Sequence, residues 1–260
     1  METHLHTSQY CAVPGNTILD AVATIMDTIA FSECTNIPIC VLTLDFQHAF
    51  DKAPHDYLCT ILRSDGLSAH FVTGIRNLYT GATSSVQING RLHGPIPIHC
   101  GVRQGCPLSM VLYTLCLQPF LSMLEQSLPG VRIGRGNRPL SVVAYADDVT
   151  VFLTSVEDFR AVEDAIRLFE KASGAHLNPR KSQALAIGRW NASDKILGIT
   201  YHAYVRILGV QFWSTINKSI KAMWTQLTGQ LRSHAQFPTP RDFCLAHRTL
   251  YIHIYLLANI

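Results

Sequence analysis

Two adjacent aspartates stand between two short apolar runs, and this arrangement constrains the fold more than any other feature of the chain. Residues 142–145 and 149–153 are rich in Val, Phe and Leu, and Ala146, Asp147 and Asp148 separate them. This pattern predicts a tight β-hairpin with both carboxylates at its tip. Asp is common in turns because its side chain caps nearby backbone amides, so a purely structural turn is one interpretation. Two neighbouring negative charges repel, however, and a bound divalent cation would relieve that repulsion.

A third carboxylate, Asp45, ends the apolar run 39–44. A carboxylate at the end of a buried strand is costly unless it is capped, paired or bound to a metal, and an Asp that caps the following turn is the structural alternative. Asp45, Asp147 and Asp148 on neighbouring strand ends form the ligand set that two Mg²⁺ ions need to bridge a nucleoside triphosphate. One ion would activate an attacking 3′-hydroxyl and the other would stabilise the leaving pyrophosphate.

The remaining periodicity predicts helices and strands in alternation along the chain. Asn89-Gly90 between two alternating runs predicts a second hairpin, over residues 84–88 and 92–98. Helical spacing occurs at 15–29, 71–79, 109–127, 156–172 and 217–232, and further strands are predicted at 182–187 and 206–212. This order predicts an α+β fold, with a mostly antiparallel sheet backed by helices.

Charge is distributed unevenly between the two parts of the chain. Residues 1–159 carry 8 Lys and Arg against 13 Asp and Glu, whereas residues 160–260 carry 13 against 5. An acidic N-terminal part and a basic C-terminal part are expected if the first holds metal ions and the second binds a phosphate backbone. Ordinary uneven surface charge gives the same numbers.

Composition also bears on the location of the protein. The eight cysteines include no C-x-x-C pair, and we interpret them as reduced thiols of an intracellular protein, in the nucleus, the cytoplasm or both. The long apolar stretch 109–128 contains Gln118, Pro119 and Glu125, so we expect a core helix and no membrane partner. The sequence does not specify an oligomeric state.

Five short segments follow one another in a specific order along the chain. They are Leu44-Asp45-Phe46-Gln47-His48-Ala49-Phe50-Asp51, Gly101-Val102-Arg103-Gln104-Gly105-Cys106-Pro107-Leu108-Ser109, Ala144-Tyr145-Ala146-Asp147-Asp148, Gly174-Ala175-His176-Leu177-Asn178-Pro179-Arg180-Lys181-Ser182 and Ile207-Leu208-Gly209-Val210. In sequence, order and spacing, these segments resemble the motifs of reverse transcriptases of non-LTR (LINE-type) retrotransposons, and the resemblance covers roughly residues 9–255.

The resemblance implies a right-hand polymerase palm with partial fingers and the start of a thumb. It divides the chain into a partial fingers segment at 1–38, a palm with inserted fingers elements at 39–212, and the start of the thumb at 213–260. It further implies an RNA-directed DNA polymerase that uses two Mg²⁺ ions, with Mn²⁺ as a possible substitute. The expected partners are an RNA template, a DNA primer and dNTPs. By the same resemblance, Asp45, Asp147 and Asp148 hold the metals.

Five positions would contact the incoming nucleotide if the family roles apply. Phe50 would be a steric gate against a ribose 2′-hydroxyl, and a plain core phenylalanine is the alternative. Lys181 would approach the triphosphate and could donate a proton to pyrophosphate, unless it is simply solvated. The other three positions are Phe46, Gln104 and Gly105. A glycine at 105 would let the backbone approach the nucleotide closely.

Five basic residues are candidates for contacts with nucleic acid. Lys218 and Lys221 lie in the basic back part of the chain, where the thumb would follow the primer–template duplex. Arg103 lies in the second motif. Arg132 and Arg135 lie in a glycine-bearing loop and could touch template phosphates, although a solvated loop also accounts for them.

Several departures from the family pattern leave other functions open. The upstream fingers segment is absent, Asn16 stands where an arginine usually follows Pro-Gly, and Met110 replaces a proline. The chain therefore looks truncated at both ends, and it could be a catalytically inactive remnant that at most binds nucleic acid. Another palm polymerase, such as an intron-encoded maturase, and a metal-binding protein that is not a polymerase are further alternatives.

Overall fold

A computed structural model describes residues 5–47, 49–103, 105–133, 138–192 and 197–235. In these ranges the helices are α1 (Ile18–Thr35), α2 (Ala49–Lys52), α3 (His55–Ser64), α4 (Ala69–Tyr79), α5 (Pro107–Ser127), α6 (Asp158–Ser173) and α7 (Ile216–Ala235). The strands are β1 (Ile39–Leu44), β2 (Phe46–Gln47), β3 (Thr83–Ile88), β4 (Arg91–Pro97), β5 (Val142–Tyr145), β6 (Asp148–Leu153), β7 (His176–Leu177), β8 (Gln183–Ile187), β9 (Thr200–Tyr201), β10 (Tyr204–Ile207) and β11 (Val210–Trp213).

A five-stranded sheet in the order β5-β6-β1-β8-β9 forms the centre of the molecule. Its pairs are antiparallel except for β8 and β9, which run parallel. Strand β1 lies in the middle of the sheet, and its first four side chains are all buried. This position explains why the run 39–44 is almost entirely apolar.

Side chains of β1 alternate between two hydrophobic cores, one on each face of the sheet. Cys40, Leu42 and Leu44 face the core that contains the buried side of α5 and α6. Ile39 and Val41 face the core that contains α1 and the hairpin of β10 and β11. The predicted α+β layout, an antiparallel sheet backed by helices, is confirmed.

Helix α5 is long and apolar enough to cross a membrane by length and composition. In the structure, however, it packs against α3 and α6, and ten of its side chains are buried, including Leu117, Phe120 and Leu121. Its apolar composition is therefore explained by its place in the core.

One predicted strand is in fact two. The segment 206–212 was expected to be continuous, but Leu208 and Gly209 both have positive φ, at 51° and 82°, and form a two-residue turn between β10 and β11. Positive φ at both central residues is the geometry of a type I′ hairpin. Leucine rarely adopts this conformation, so the sequence pattern concealed the turn.

Candidate active site

The three predicted carboxylates lie at one end of the central sheet. Strand β1 pairs with β6 so that Leu44 is opposite Val149, which brings Asp45 level with Asp148 one position further on. The expected β5–β6 hairpin is present, but it pairs Tyr145 with Asp148, so that its turn consists of Ala146 and Asp147 and Asp148 begins β6. Both Asp147 and Asp148 are exposed to solvent at this edge, whereas Asp45 is half-buried.

The electrostatics of this edge favour a cation. Desolvation, with the charges of Asp147 and Asp45 as smaller causes, raises the pKa of Asp148 to about 6. The pKa of Asp147 is also raised, first by desolvation and then by the charge of Asp45. Three carboxylates that repel one another lose part of that repulsion when a divalent cation binds between them.

The oxygen donors fit a hard cation such as Mg²⁺. Among the described residues, no three His, Cys, Asp or Glu side chains are grouped closely enough to hold a metal ion by themselves. Mg²⁺ commonly binds one or two carboxylates and takes its other oxygens from substrate phosphates and water, so an open carboxylate cluster is consistent with a site completed by a nucleotide.

The backbone of Asp45 is held in place by the fourth motif. Its N–H donates to Ser182 Oγ at 3.0 Å, and its carbonyl accepts from the Asn178 N–H at 2.7 Å. The turn between these two residues carries Lys181, which is exposed. The positioning roles of Asn178 and Ser182 were missed at the sequence level, because nothing in the sequence shows which strand end this turn would contact.

The two phenylalanines after Asp45 have different environments. Phe46 is buried, and its ring packs edge-on against Phe120 and Phe169, with ring centroids 5.5 and 5.2 Å away. The ring is therefore part of the core, and the expected contact of Phe46 with a nucleotide, which stays a prediction, would be made by its backbone. Phe50 is half-buried and stacks on Tyr113 at 4.3 Å.

The second motif lies beside Phe50. The Val102 N–H donates to the Phe50 carbonyl at 2.7 Å, which ties the loop to the segment that follows Asp45. Phe50, Arg103 and Gly105 line an open cavity of about 500 Å³ together with residues of the first turn of α5. Gly105 has φ of +80°, a conformation that favours glycine. Gln104 lies outside the described residues.

The predicted nucleic-acid contacts fall into two groups. Lys218 and Lys221 line a groove of about 700 Å³ between α7 and the β10–β11 hairpin, where Arg206 adds a third positive charge. Arg103 and Arg132 are exposed, and Arg135 lies outside the described residues.

Comparison with known proteins assigns the chain to a family. Residues 1–212 match the family described as reverse transcriptase (RNA-dependent DNA polymerase). The chain belongs to the reverse transcriptase family. Enzymes of this family use divalent metal ions, in agreement with the carboxylate cluster at the sheet edge.

The similar curated proteins come from transposable elements. The transposon TX1 uncharacterized 149 kDa protein of Xenopus laevis is 35% identical over 184 residues, which are 71% of this chain and 14% of that protein. The retrovirus-related Pol polyprotein of the type-2 retrotransposable element R2DM of Drosophila melanogaster is 28% identical over 166 residues, 64% of this chain and 15% of that protein. The predicted membership among non-LTR retrotransposon reverse transcriptases is confirmed. The chain spans about one seventh of the length of these two relatives.

Solved structures with a similar fold include telomerases. The telomerase of Candida tropicalis in complex with a TWJ fragment of telomeric RNA superposes with a TM-score of 0.56 at 14% identity, over 89% of this chain and 38% of that one. The telomerase of Candida albicans, also in complex with a TWJ fragment, gives a TM-score of 0.51 at 12% identity, over 93% and 42%. At these identities the likeness concerns the fold.

Proposed function

We propose that this chain is the catalytic core of an RNA-directed DNA polymerase, which transfers nucleotides from dNTPs to the 3′-hydroxyl of a DNA primer on an RNA template. One observation supports the proposal above all: Asp45, Asp147 and Asp148 lie at the same edge of the central sheet in a chain of the reverse transcriptase family. Phosphoryl transfer requires mainly positioning and charge neutralisation, and the metal ions that these carboxylates would hold supply both when bound.

The three aspartates would hold two Mg²⁺ ions, or Mn²⁺ in their place. When bound, the ions supply activation of the primer hydroxyl and stabilisation of the negative charge on pyrophosphate. Lys181, on the turn that holds the backbone of Asp45, would neutralise charge on the triphosphate and could pass a proton to the departing pyrophosphate.

The cavity lined by Phe50, Arg103 and Gly105 would receive the incoming nucleotide and the template base. The Phe50 ring, supported by its stacking on Tyr113, would exclude a ribose 2′-hydroxyl. Gln104 remains a proposed contact on the same loop. The backbone of Phe46, rather than its buried ring, would border the nucleotide.

The basic residues would bind the primer–template duplex. Lys218 and Lys221, with Arg206, offer a groove whose charge suits a phosphate backbone. We retain Arg103, Arg132 and Arg135 as proposed phosphate contacts. We also propose the division into partial fingers at 1–38, palm at 39–212 and the start of the thumb at 213–260. Residues 236–260 of the thumb lie outside the described residues. A nuclear or cytoplasmic location likewise stays a proposal.

Primer extension on an RNA template with Mg²⁺ tests the proposal. The parent chain should extend the primer with dNTPs, and Asp147→Asn should abolish extension because it removes a metal ligand. The matched control is Asp164→Asn, because Asp164 is exposed on α6 and forms a surface ion pair with Arg167, and this variant should extend like the parent.

Two other outcomes would decide against the proposal. If folded parent protein extends no primer but binds RNA–DNA duplex in a salt-sensitive manner, the chain is an inactive remnant that binds nucleic acid. If it extends primers equally well with ribonucleotides, it belongs with polymerases that do not select deoxyribose.

A further inference from the structure

A short N-terminal segment runs beside the catalytic hairpin. We call residues 5–12 the N-terminal strap. It forms a parallel bridge with β5, in which the Ala144 N–H donates to the Ser8 carbonyl and the Tyr10 N–H donates to the Ala144 carbonyl, both at 2.8 Å. Strand β5 leads directly into the turn that carries Asp147, so the strap lies against the base of the candidate active site.

The Gln9 side chain reaches from the strap to this turn. It is fully buried, and its Oε1 accepts from the backbone N–H of Ala146 at 3.1 Å and from that of Cys11 at 2.9 Å. Its Nε2 donates to the Ala146 carbonyl at 3.4 Å. One amide side chain thus satisfies both backbone polar groups of the residue that precedes Asp147.

Ala146 needs this support because of its backbone conformation. Its φ is 55°, in the left-handed region that residues with a Cβ rarely adopt. Such a conformation persists when surrounding contacts hold it in place. The positions of Asp147 and Asp148 follow directly from the conformation of Ala146, since they are the next two residues.

The strap is anchored at its other end by a polar cluster around Glu125 of α5. The Glu125 carboxylate accepts from Ser8 Oγ and from Arg138 Nη2, the latter at 2.8 Å, and lies 3.4 Å from His6 Nε2. The Glu125 and His6 side chains are 12% and 13% exposed, so their contact is largely shielded from water, whereas Arg138 lies at the surface. Arg138, just before β5, thus contributes to the cluster that holds the strap.

We propose that Gln9 is a positioning residue for the catalytic hairpin. By fixing the backbone of Ala146, it would orient Asp147 and Asp148 toward Asp45 in the geometry that metal binding requires. This inference rests on the proposed polymerase function and adds to it a residue that touches neither nucleotide nor metal. Residues that orient metal ligands commonly change activity or metal affinity by about 10- to 100-fold when mutated.

The test compares Gln9→Met with Gln126→Met. Methionine has a similar length and fits a buried site without making the three hydrogen bonds, whereas Gln126 is exposed on α5 and serves as the matched control. We expect Gln9→Met to lower kcat for primer extension by roughly 10- to 100-fold with little change in the KM for dNTP, because the nucleotide cavity is formed by other segments. We expect Gln126→Met to match the parent.

Hydrogen exchange at the Ala146 amide, followed by NMR in ¹⁵N-labelled protein, gives a second readout that does not require activity. Gln9→Met should exchange this proton faster than the parent, while amides of the central strand β1 exchange at parental rates. A variant that merely unfolds more often would accelerate exchange in β1 as well, and that result would overturn the inference.

The outcomes separate the inference from the proposed function. Suppose that the parent chain extends primers and that Gln9→Met has the same kcat and the same exchange rate at Ala146. This result would refute the positioning role of Gln9 and leave the proposed polymerase function intact. A parent that extends no primer would refute the proposed function, and unchanged exchange at Ala146 would then refute the positioning of the turn independently.

Discussion

Replacing Asp148 with asparagine should stabilise the metal-free protein while it removes metal binding. In the folded chain, desolvation and the charges of Asp147 and Asp45 raise the pKa of Asp148 from 3.8 to about 6. A charged Asp148 is therefore unfavourable in the folded state at neutral pH. Asparagine keeps the shape of the side chain and carries no charge, so this unfavourable contribution disappears in Asp148→Asn.

The size of the effect follows from the pKa shift. The rise of the Asp148 pKa from 3.8 to about 6 corresponds to an upper limit of about 3 kcal/mol. Asp148 is exposed at the sheet edge, and solvent screening reduces this figure to about 1 kcal/mol. For a chain of this size, that corresponds to a rise in Tm of roughly 2–4 °C.

The pH dependence has a definite sign. A carboxyl group whose folded pKa is raised contributes stability that is fully present below its unfolded pKa of 3.8 and is lost as the pH rises through about 6. The gap in Tm between Asp148→Asn and the parent should therefore be largest at pH 7.5 and should close toward pH 4.

Thermal unfolding by circular dichroism, with EDTA and with Mg²⁺, measures both effects. Mg²⁺ at about ten times its Kd would stabilise the parent by about 1.4 kcal/mol, and the variant should gain much less. A variant that is less stable than the parent at pH 7.5 in EDTA would refute the electrostatic reasoning. Equal stabilisation of both proteins by Mg²⁺ would refute the role of Asp148 as a ligand.

Three further predictions address the nucleotide cavity, the basic groove and the scaffold. Phe50→Ala should raise the efficiency of ribonucleotide incorporation relative to dNTP by roughly tenfold or more in single-nucleotide extension, and an unchanged ratio would show that Phe50 is not the gate. Lys218→Ala and Lys221→Ala should each weaken duplex binding and lower the slope of log K against log salt by about 1, and unchanged slopes would place the duplex elsewhere. Asp158→Ala should reduce the free energy of unfolding, measured by denaturant titration, by about 2 kcal/mol. The reason is that the Asp158 carboxylate accepts hydrogen bonds from the backbone N–H groups of Thr154 and Ser155 at 2.8 and 3.0 Å. Glu157→Ala, on the exposed neighbour, is the control and should reduce the free energy of unfolding far less.

The parts of the fold that the sequence predicts are those determined by local patterns. The Asn89-Gly90 turn and the β5–β6 hairpin were both expected, because turn residues and alternating apolar runs specify them locally. The register between β1 and β6, which brings Asp45 level with Asp148, depends instead on pairing between residues about one hundred positions apart. The apolar runs led to the expectation that the three carboxylates lie on neighbouring strand ends, but no local pattern specifies the register that aligns them.

Other features depend on tertiary contacts that no local pattern reveals. Phe46 follows Asp45 directly, yet its ring joins Phe120 and Phe169 in the core, because the short strand β2 orients it away from the sheet edge. The role of Gln9 depends on a bridge between the strap and β5 across 135 positions of sequence.

The central claim is that Asp45, Asp147 and Asp148 bind the two divalent ions of nucleotidyl transfer. Its most direct test is the number of Mn²⁺ ions bound per complex, measured by electron paramagnetic resonance with primer–template and a non-reactive dNTP analogue present. The account predicts about two ions in the parent and fewer in Asp147→Asn. Equal numbers of tightly bound ions in the two proteins, or none in the parent, would contradict it.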